Sequence, residues 1–250
     1  METVKVSWSG GKDSTCALSL HLEAGHKVKA VCYIPMLTDD IPLILKNHYN
    51  FILNTAEHFC KTVGADVHIV TGITYVDFVH KVSSRTGKIF GFPCFLTSKC
   101  PFKNYSKEKA LKQCDVGYFD YEDIGIAFDE IKRKGQLTQT KRSILCEQEY
   151  TEVDALQYCK NHGMLSPHYE TSFRDGCALC PNAKAKERKL YFQDYPDAFD
   201  IVLDLQNFVK NEILLGHKPE NHTPLRNYKW FIEENHQLSL FSNETKFIIN

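Results

Sequence analysis

No apolar run in the 250 residues is long enough to span a membrane. The opening residues, Met1-Glu2-Thr3-Val4, lack the basic-then-apolar pattern of a signal peptide, so the expected location is the cytoplasm. Net charge is −1, and bulk charge therefore supplies no attraction to nucleic acid or to an anionic membrane. The sequence has no internal repeat and no low-complexity segment. It also lacks a Ser-His-Asp order and a His-Glu-x-x-His pair, the signals of a triad hydrolase and of a zincin. What remains is an ordinary globular composition, 43% hydrophobic and 24% charged, which can bury a sizeable core without staples. One local basic stretch, Lys184, Lys186, Arg188 and Lys189, is a candidate anion-binding patch.

Ten cysteines are many for a reducing compartment, where a disulfide framework is not expected. Cys16 and Cys32 stand among apolar neighbours and read as plain buried side chains. The others invite metal or sulfur chemistry. The eleven histidines show no ligand spacing; His21, His26, His58 and His80 read as surface or core side chains. The aromatics around 90–102 read as a loop packed on the core.

Hydrophobic periodicity predicts strands over 4–8, 28–34 and 67–70, with a further strand within 121–127. It predicts helices over 14–24, with Ala17, Leu18 and Leu22 on one face, and over 43–63. A capping-box-like start at Thr151 opens a helix that ends at Gly163. From about 181 the chain reads as helix, broken at Tyr195-Pro196. This alternation predicts an α/β fold: a Rossmann-like, doubly wound, mostly parallel sheet covered on both faces, with a helical C-terminal part. Residues 1–213 are expected to form the principal domain, and 214–250 a polar tail.

The first predicted strand ends in Ser9-Gly10-Gly11-Lys12-Asp13-Ser14. A glycine pair between strand and helix lets the backbone turn tightly and aim successive N–H groups at one anion. Lys12 adds a mobile positive charge, and Ser9 and Ser14 add hydroxyls. A Walker A loop is excluded, because it needs glycine where this chain has Val6 and Ser or Thr where it has Asp13. The segment instead resembles, residue for residue, the Ser-Gly-Gly-x-Asp-Ser motif of PP-loop ATP pyrophosphatases. That resemblance implies ATP as substrate, cleavage between its α- and β-phosphates, and magnesium bridging the phosphates. It implies that Ser9, Gly10, Gly11, Lys12, Asp13 and Ser14 hold the nucleotide, with Lys12, Asp13 and Ser14 catalytic. Asp13 would help place the ion, although Asp at a helix start is also a routine cap.

Two further segments are similar to the phosphoadenylyl-sulfate (PAPS) reductase-like branch of that superfamily, found in bacteria and phages. Gly125-Ile126-Ala127-Phe128-Asp129-Glu130, followed by Arg133, resembles a strand-end signature. Strand carboxyl ends line the ligand crevice of an open α/β sheet, so Glu130 and Arg133 are expected to face the nucleotide or second substrate. A solvated charge run is the plain alternative. Many relatives carry arginine where this chain has Ala127. Arg174-Asp175-Gly176-Cys177-Ala178-Leu179-Cys180-Pro181-Asn182 resembles a Gly-Cys-x-x-Cys-Pro signature. Cys177 and Cys180 are the candidate metal ligands, for zinc or an iron–sulfur cluster; a redox pair and two structural cysteines are the alternatives. Either metal centre wants four ligands, and Cys94, Cys100, Cys146 and Cys159 are the candidates to complete it. Cys94 with Lys99 resembles a Cys–Thr–…–Lys element of the family, and Lys99-Cys100-Pro101 fits equally.

The resemblance implies an enzyme that adenylylates an acceptor for sulfur transfer, with nucleic acid as acceptor and a cysteine desulfurase as sulfur donor, as in DNA phosphorothioation. A PAPS reductase is the second reading, but the Glu-Cys-Gly-Leu-His element of that reaction is absent. A nucleotide-binding interaction protein without turnover is the third. Gln237-Leu238-Ser239-Leu240-Phe241 resembles the peptide by which bacterial replication and repair proteins dock on the sliding clamp; folding back onto the parent domain is its alternative.

Overall fold

A computed structural model of the chain describes residues 1–93, 100–172, 176–180 and 183–220. Cys94, Lys99, Arg174, Asp175, Pro181, Asn182 and the segment Gln237–Phe241 lie outside them. The chain divides into two units interleaved in sequence. The first comprises Met1–Ile34, Ile44–Gly72 and Lys107–Gly176; the second comprises Pro35–Leu43, Ile73–Ser106 and the residues from Cys177 onward.

The first unit carries a five-stranded sheet. Its strands are β1 (Thr3–Trp8), β2 (Lys27–Tyr33), β3 (Asp66–Val70), β4 (Tyr121–Ile124) and β5 (Lys141–Arg142), in the order β3-β2-β1-β4-β5. Every neighbouring pair is parallel. Ala30, Val31 and Cys32 of β2 are buried in succession, the signature of a strand covered on both faces. Winding runs from β1 out to β3, then restarts beside β1 at β4. The β1–β4 seam is therefore the topological switch point, where open α/β sheets place their ligands.

Helix α1 (Lys12–Glu23) follows β1 and α2 (Lys46–His58) follows β2. Periodicity gave α1 a single apolar face; instead every residue from Ser14 to His21 is buried. The reason is a second layer: Cys16, Ala17 and Leu20 pack against Ile144 and Leu145 of α7 (Ile144–Glu147) and Ala155 and Cys159 of α8 (Glu152–Asn161). Helix α8 opens with the expected capping box, Thr151 and Asp154 each bonding the other's backbone amide. His21 is a core residue, its Nε2 3.0 Å from Asp123 Oδ2, whereas His58 and His80 are exposed. The second predicted helix starts three residues late. Leu43 donates its amide to Pro35 O (2.7 Å), and its carbonyl accepts from the Ala178 amide (2.9 Å) instead of from an amide four residues on, as in a helix.

The second unit holds α3 (Tyr75–His80), α4 (Pro101–Lys103), α9 (Ala185–Asp194) and α10 (Pro196–Leu214). The remaining short helices, α5 (Lys109–Gln113) and α6 (Ile131–Lys134), belong to the first unit. The core of the second unit is aromatic: Phe78 meets Phe90 and Phe102 edge-on at 5.3 and 5.4 Å, and Tyr75 meets Phe102 at 5.2 Å. Aromatic pairs prefer such edge contacts, and among the described rings of 90–102, Phe90 and Phe102 do pack as core. Helix α9 corrects the basic stretch. Arg188 is buried and donates to Ala183 O at 2.6 Å, so only Lys184, Lys186 and Lys189 of that stretch are exposed. Among the described residues no helix is long and apolar enough to cross a membrane.

Candidate active site

The Ser9–Ser14 loop lies at the carboxyl end of β1, beside the residues that follow β4. Gly10 turns the chain at φ 74°, a conformation that glycine adopts without strain. Gly11 is extended, and α1 begins at Lys12 with no side-chain cap. Its first-turn amides thus have no partner within the helix, and the helix dipole adds positive potential there. Gly125, just past β4, approaches this turn so closely that a Cβ on it would lie 2.7 Å from Ser14 N and 2.9 Å from Asp13 C. Glycine is what lets the two strand ends meet.

The two hydroxyls knit the loop to itself. Ser14 Oγ accepts from the Ser9 amide (3.0 Å) and donates to Gly11 O (3.1 Å), and it lies 3.1 Å from Ser9 Oγ. Lys12 Nζ donates to both carboxylate oxygens of Asp13 at 2.8 Å and to Glu152 Oε1 at 3.2 Å. Burial lowers the Lys12 pKa, but the bonds and charges of Asp13 and Glu152 outweigh it and hold the ammonium above its ordinary value. Asp13 is pushed up, chiefly by burial, and further by the like charges of Glu152 and Glu130, against the pull of Lys12. Both shifts are upward: the one on Lys12 favours its charged form, whereas on Asp13 burial and the neighbouring carboxylates work against the charge. That crowding is relieved wherever a cation joins the group.

Glu130 and Arg133 face each other: Arg133 Nη1 bonds both Glu130 oxygens at 2.9 Å, and Glu130 Oε2 also accepts from the Ala127 amide at 3.1 Å. Asp129 Oδ1 accepts from the Glu152 amide (3.0 Å) at the start of α8, which aligns Glu152 with Lys12. The Ile126 carbonyl is held by Ser143 Oγ at 2.7 Å and Cys146 Sγ at 3.3 Å.

The cysteines separate. Cys146 and Cys159 belong to the first unit; Cys159 Sγ donates to Lys12 O at 3.2 Å beneath the loop, and burial pushes its thiol up to about 12. Cys177 and Cys180 belong to the second unit and bound a turn in which the Cys180 amide bonds Cys177 O at 3.1 Å. Cys100 is in the same unit and near enough to feel the charge of Cys180, while burial pushes its own thiol up. Among the described residues no three His, Cys, Asp or Glu side chains are grouped to hold a metal.

Five residues that the sequence does not single out for the site touch the loop or support a residue that does. Glu152 is one. Tyr169 accepts the Lys12 amide on its phenol oxygen at 3.0 Å. Ser166 Oγ lies 2.9 Å from His48 Nδ1 and 2.8 Å from His168 Nδ1. A Cβ on Gly10 would lie 3.1 Å from His48 Cε1. Pro167 marks the start of the turn Pro167–Glu170, but nothing local in the sequence shows what that turn packs against.

No protein-family model and no curated protein matches the chain. Among solved structures it is similar to a 4-thiouridine synthetase in complex with RNA and bound ATP, at 14% identity and a TM-score of 0.39. The match covers 82% of this chain and 53% of that one. This chain thus spans about half the length of that protein, and the superposition is too loose to transfer anything from it.

Proposed function

We propose that the chain is a PP-loop ATP pyrophosphatase that adenylylates an acceptor, with sulfur transfer to nucleic acid as the downstream use. One observation carries the reading: a loop of sequence Ser-Gly-Gly-Lys-Asp-Ser opens a helix at the switch point of a parallel sheet, against the glycine that ends β4. The substrate is ATP as its magnesium complex, with Asp13 as the loop carboxylate suited to meet the ion. Magnesium supplies charge neutralisation on the phosphates. The acceptor's nucleophile attacks the α-phosphorus, the bond to the α–β bridging oxygen breaks, and pyrophosphate departs with the electron pair. The acceptor's proton passes to solvent. First-turn amides of α1 and the Lys12 ammonium stabilise the charge growing on the leaving group. To reach it, Lys12 exchanges a carboxylate for a phosphate oxygen.

The test is pure protein with ATP, magnesium and a single-stranded nucleic acid acceptor, following pyrophosphate and AMP. Release of pyrophosphate is expected. Nucleotide binding with no release leaves a binding protein only, and adenylyl-sulfate reduction without ATP cleavage favours the reductase.

Cys177 and Cys180 are proposed to bind zinc or an iron–sulfur cluster, with Cys100 of the same unit as a further candidate ligand. The described residues do not complete such a site, and no step above runs through it. Protein prepared without oxygen is expected to carry the metal, and Cys177→Ala with Cys180→Ala to lose it together with some thermal stability. Wild-type protein holding neither zinc nor iron removes the proposal.

A further inference from the structure

The Lys12 amide is the first N–H of α1, the donor that an anion at this helix start would be expected to engage. In the structure that amide is bonded to an oxygen of the protein itself, the Tyr169 phenol, at 3.0 Å. The tyrosine is not a loose surface group that drifted there. It follows directly on His168, and the two rings lie 4.0 Å apart between centroids. His168 shares the Ser166 hydroxyl with His48; the three are 0%, 1% and 2% exposed respectively. One hydroxyl proton cannot serve both imidazoles, so Ser166 donates to one Nδ1 and accepts an N–H from the other. The two Nδ1 atoms therefore play opposite hydrogen-bonding roles, and the shared hydroxyl ties down the turn that carries Tyr169. The same His48 ring backs the turn at Gly10 together with Ile52: a Cβ there would lie 2.6 Å from Ile52 Cγ1 and 3.1 Å from His48 Cε1. One buried cluster therefore clasps the loop at residue 10 through His48 and at residue 12 through Tyr169.

An amide cannot give a full, linear hydrogen bond to a phenol and to a phosphate oxygen together. The cluster is buried, but Tyr169 itself is only half-buried, so its side chain can turn away while the anchors stay. We infer that Tyr169 is a built-in stand-in for a phosphate oxygen: it accepts the Lys12 amide and must leave when nucleotide binds. The inference rests on the nucleotide reading above. It adds a competitor within the site, one that keeps the loop in its binding conformation and scales apparent affinity down to the fraction of time it is unseated.

Tyr169→Phe tests this, because it deletes the hydroxyl and keeps the ring against His168. The measurement is calorimetric titration with α,β-methylene ATP, which cannot be cleaved between those phosphates, plus magnesium. The variant is expected to bind about two- to tenfold more tightly than wild type, the span set by one hydrogen bond. Its melting temperature without nucleotide should fall slightly. A merely structural tyrosine would give the same fall in melting temperature with affinity unchanged or weaker, and either affinity result overturns the inference while leaving the nucleotide reading intact. If wild type and variant both fail to bind, the nucleotide reading falls and takes this inference with it.

Discussion

Lys12→Ala is expected to slow pyrophosphate release from ATP by at least about 100-fold, the loss that follows removal of one well-placed donor to a developing anion. Its ammonium is held charged between Asp13 and Glu152, so it arrives at the reaction already protonated. The loss should appear in kcat more than in KM, because the interaction strengthens as charge builds on the leaving group. Circular dichroism should stay at the wild-type level, since truncating this loop side chain opens no core cavity. Turnover within a few-fold of wild type in this variant would sink the assignment of the loop.

Gly125→Ala is expected to cost about 1–3 kcal/mol of stability, as overpacking does, and to abolish nucleotide binding. A methyl there would sit 2.7 Å from Ser14 N and 2.9 Å from Asp13 C and Ser14 Cα. All three are main-chain atoms, which cannot rotate aside as a side chain would. The loop and the β4 end must separate, and that displaces the first-turn amides of α1. Urea denaturation and nucleotide titration measure the two effects. The control is Gly135→Ala, a glycine whose added Cβ meets nothing within 4 Å; equal losses in both variants would mean that the close approach is not what matters.

How far these features were legible depends on sequence distance. β1, the glycine turn and α1 are written within one short stretch, Thr3–Glu23, and local rules suffice to find them. The start of α2 was misplaced because Leu43 continues a helical pattern while its carbonyl bonds Ala178, far along the chain. β5 is two residues long, too short for any period to register. The loop's own neighbours are the clearest case. Glu152 lies 140 residues from Lys12 and Tyr169 lies 157, and no composition or spacing rule connects them. Glu130 and Arg133 were found as a charged pair after a strand, but their mutual bond depends on an i, i+3 geometry that sequence suggests and only coordinates settle. Arg188 shows the opposite failure: a run of basic residues reads as surface, yet one member turned inward to cap a carbonyl.

The β1–β4 seam also governs when an active molecule can exist during synthesis. Val4 aligns with Tyr121, and Ser7 with Ile124, so this pairing waits until well over a hundred residues separate the partners. Closing so long a loop is slow relative to local structure. The nascent chain carries its whole nucleotide motif from the outset, yet lacks the second wall of the crevice until β4 emerges and docks. Truncations ending before Tyr121 should therefore hold the motif and bind no nucleotide. In refolding of the full chain, recovery of binding should lag behind helix formation, and simultaneous recovery would count against this order of assembly.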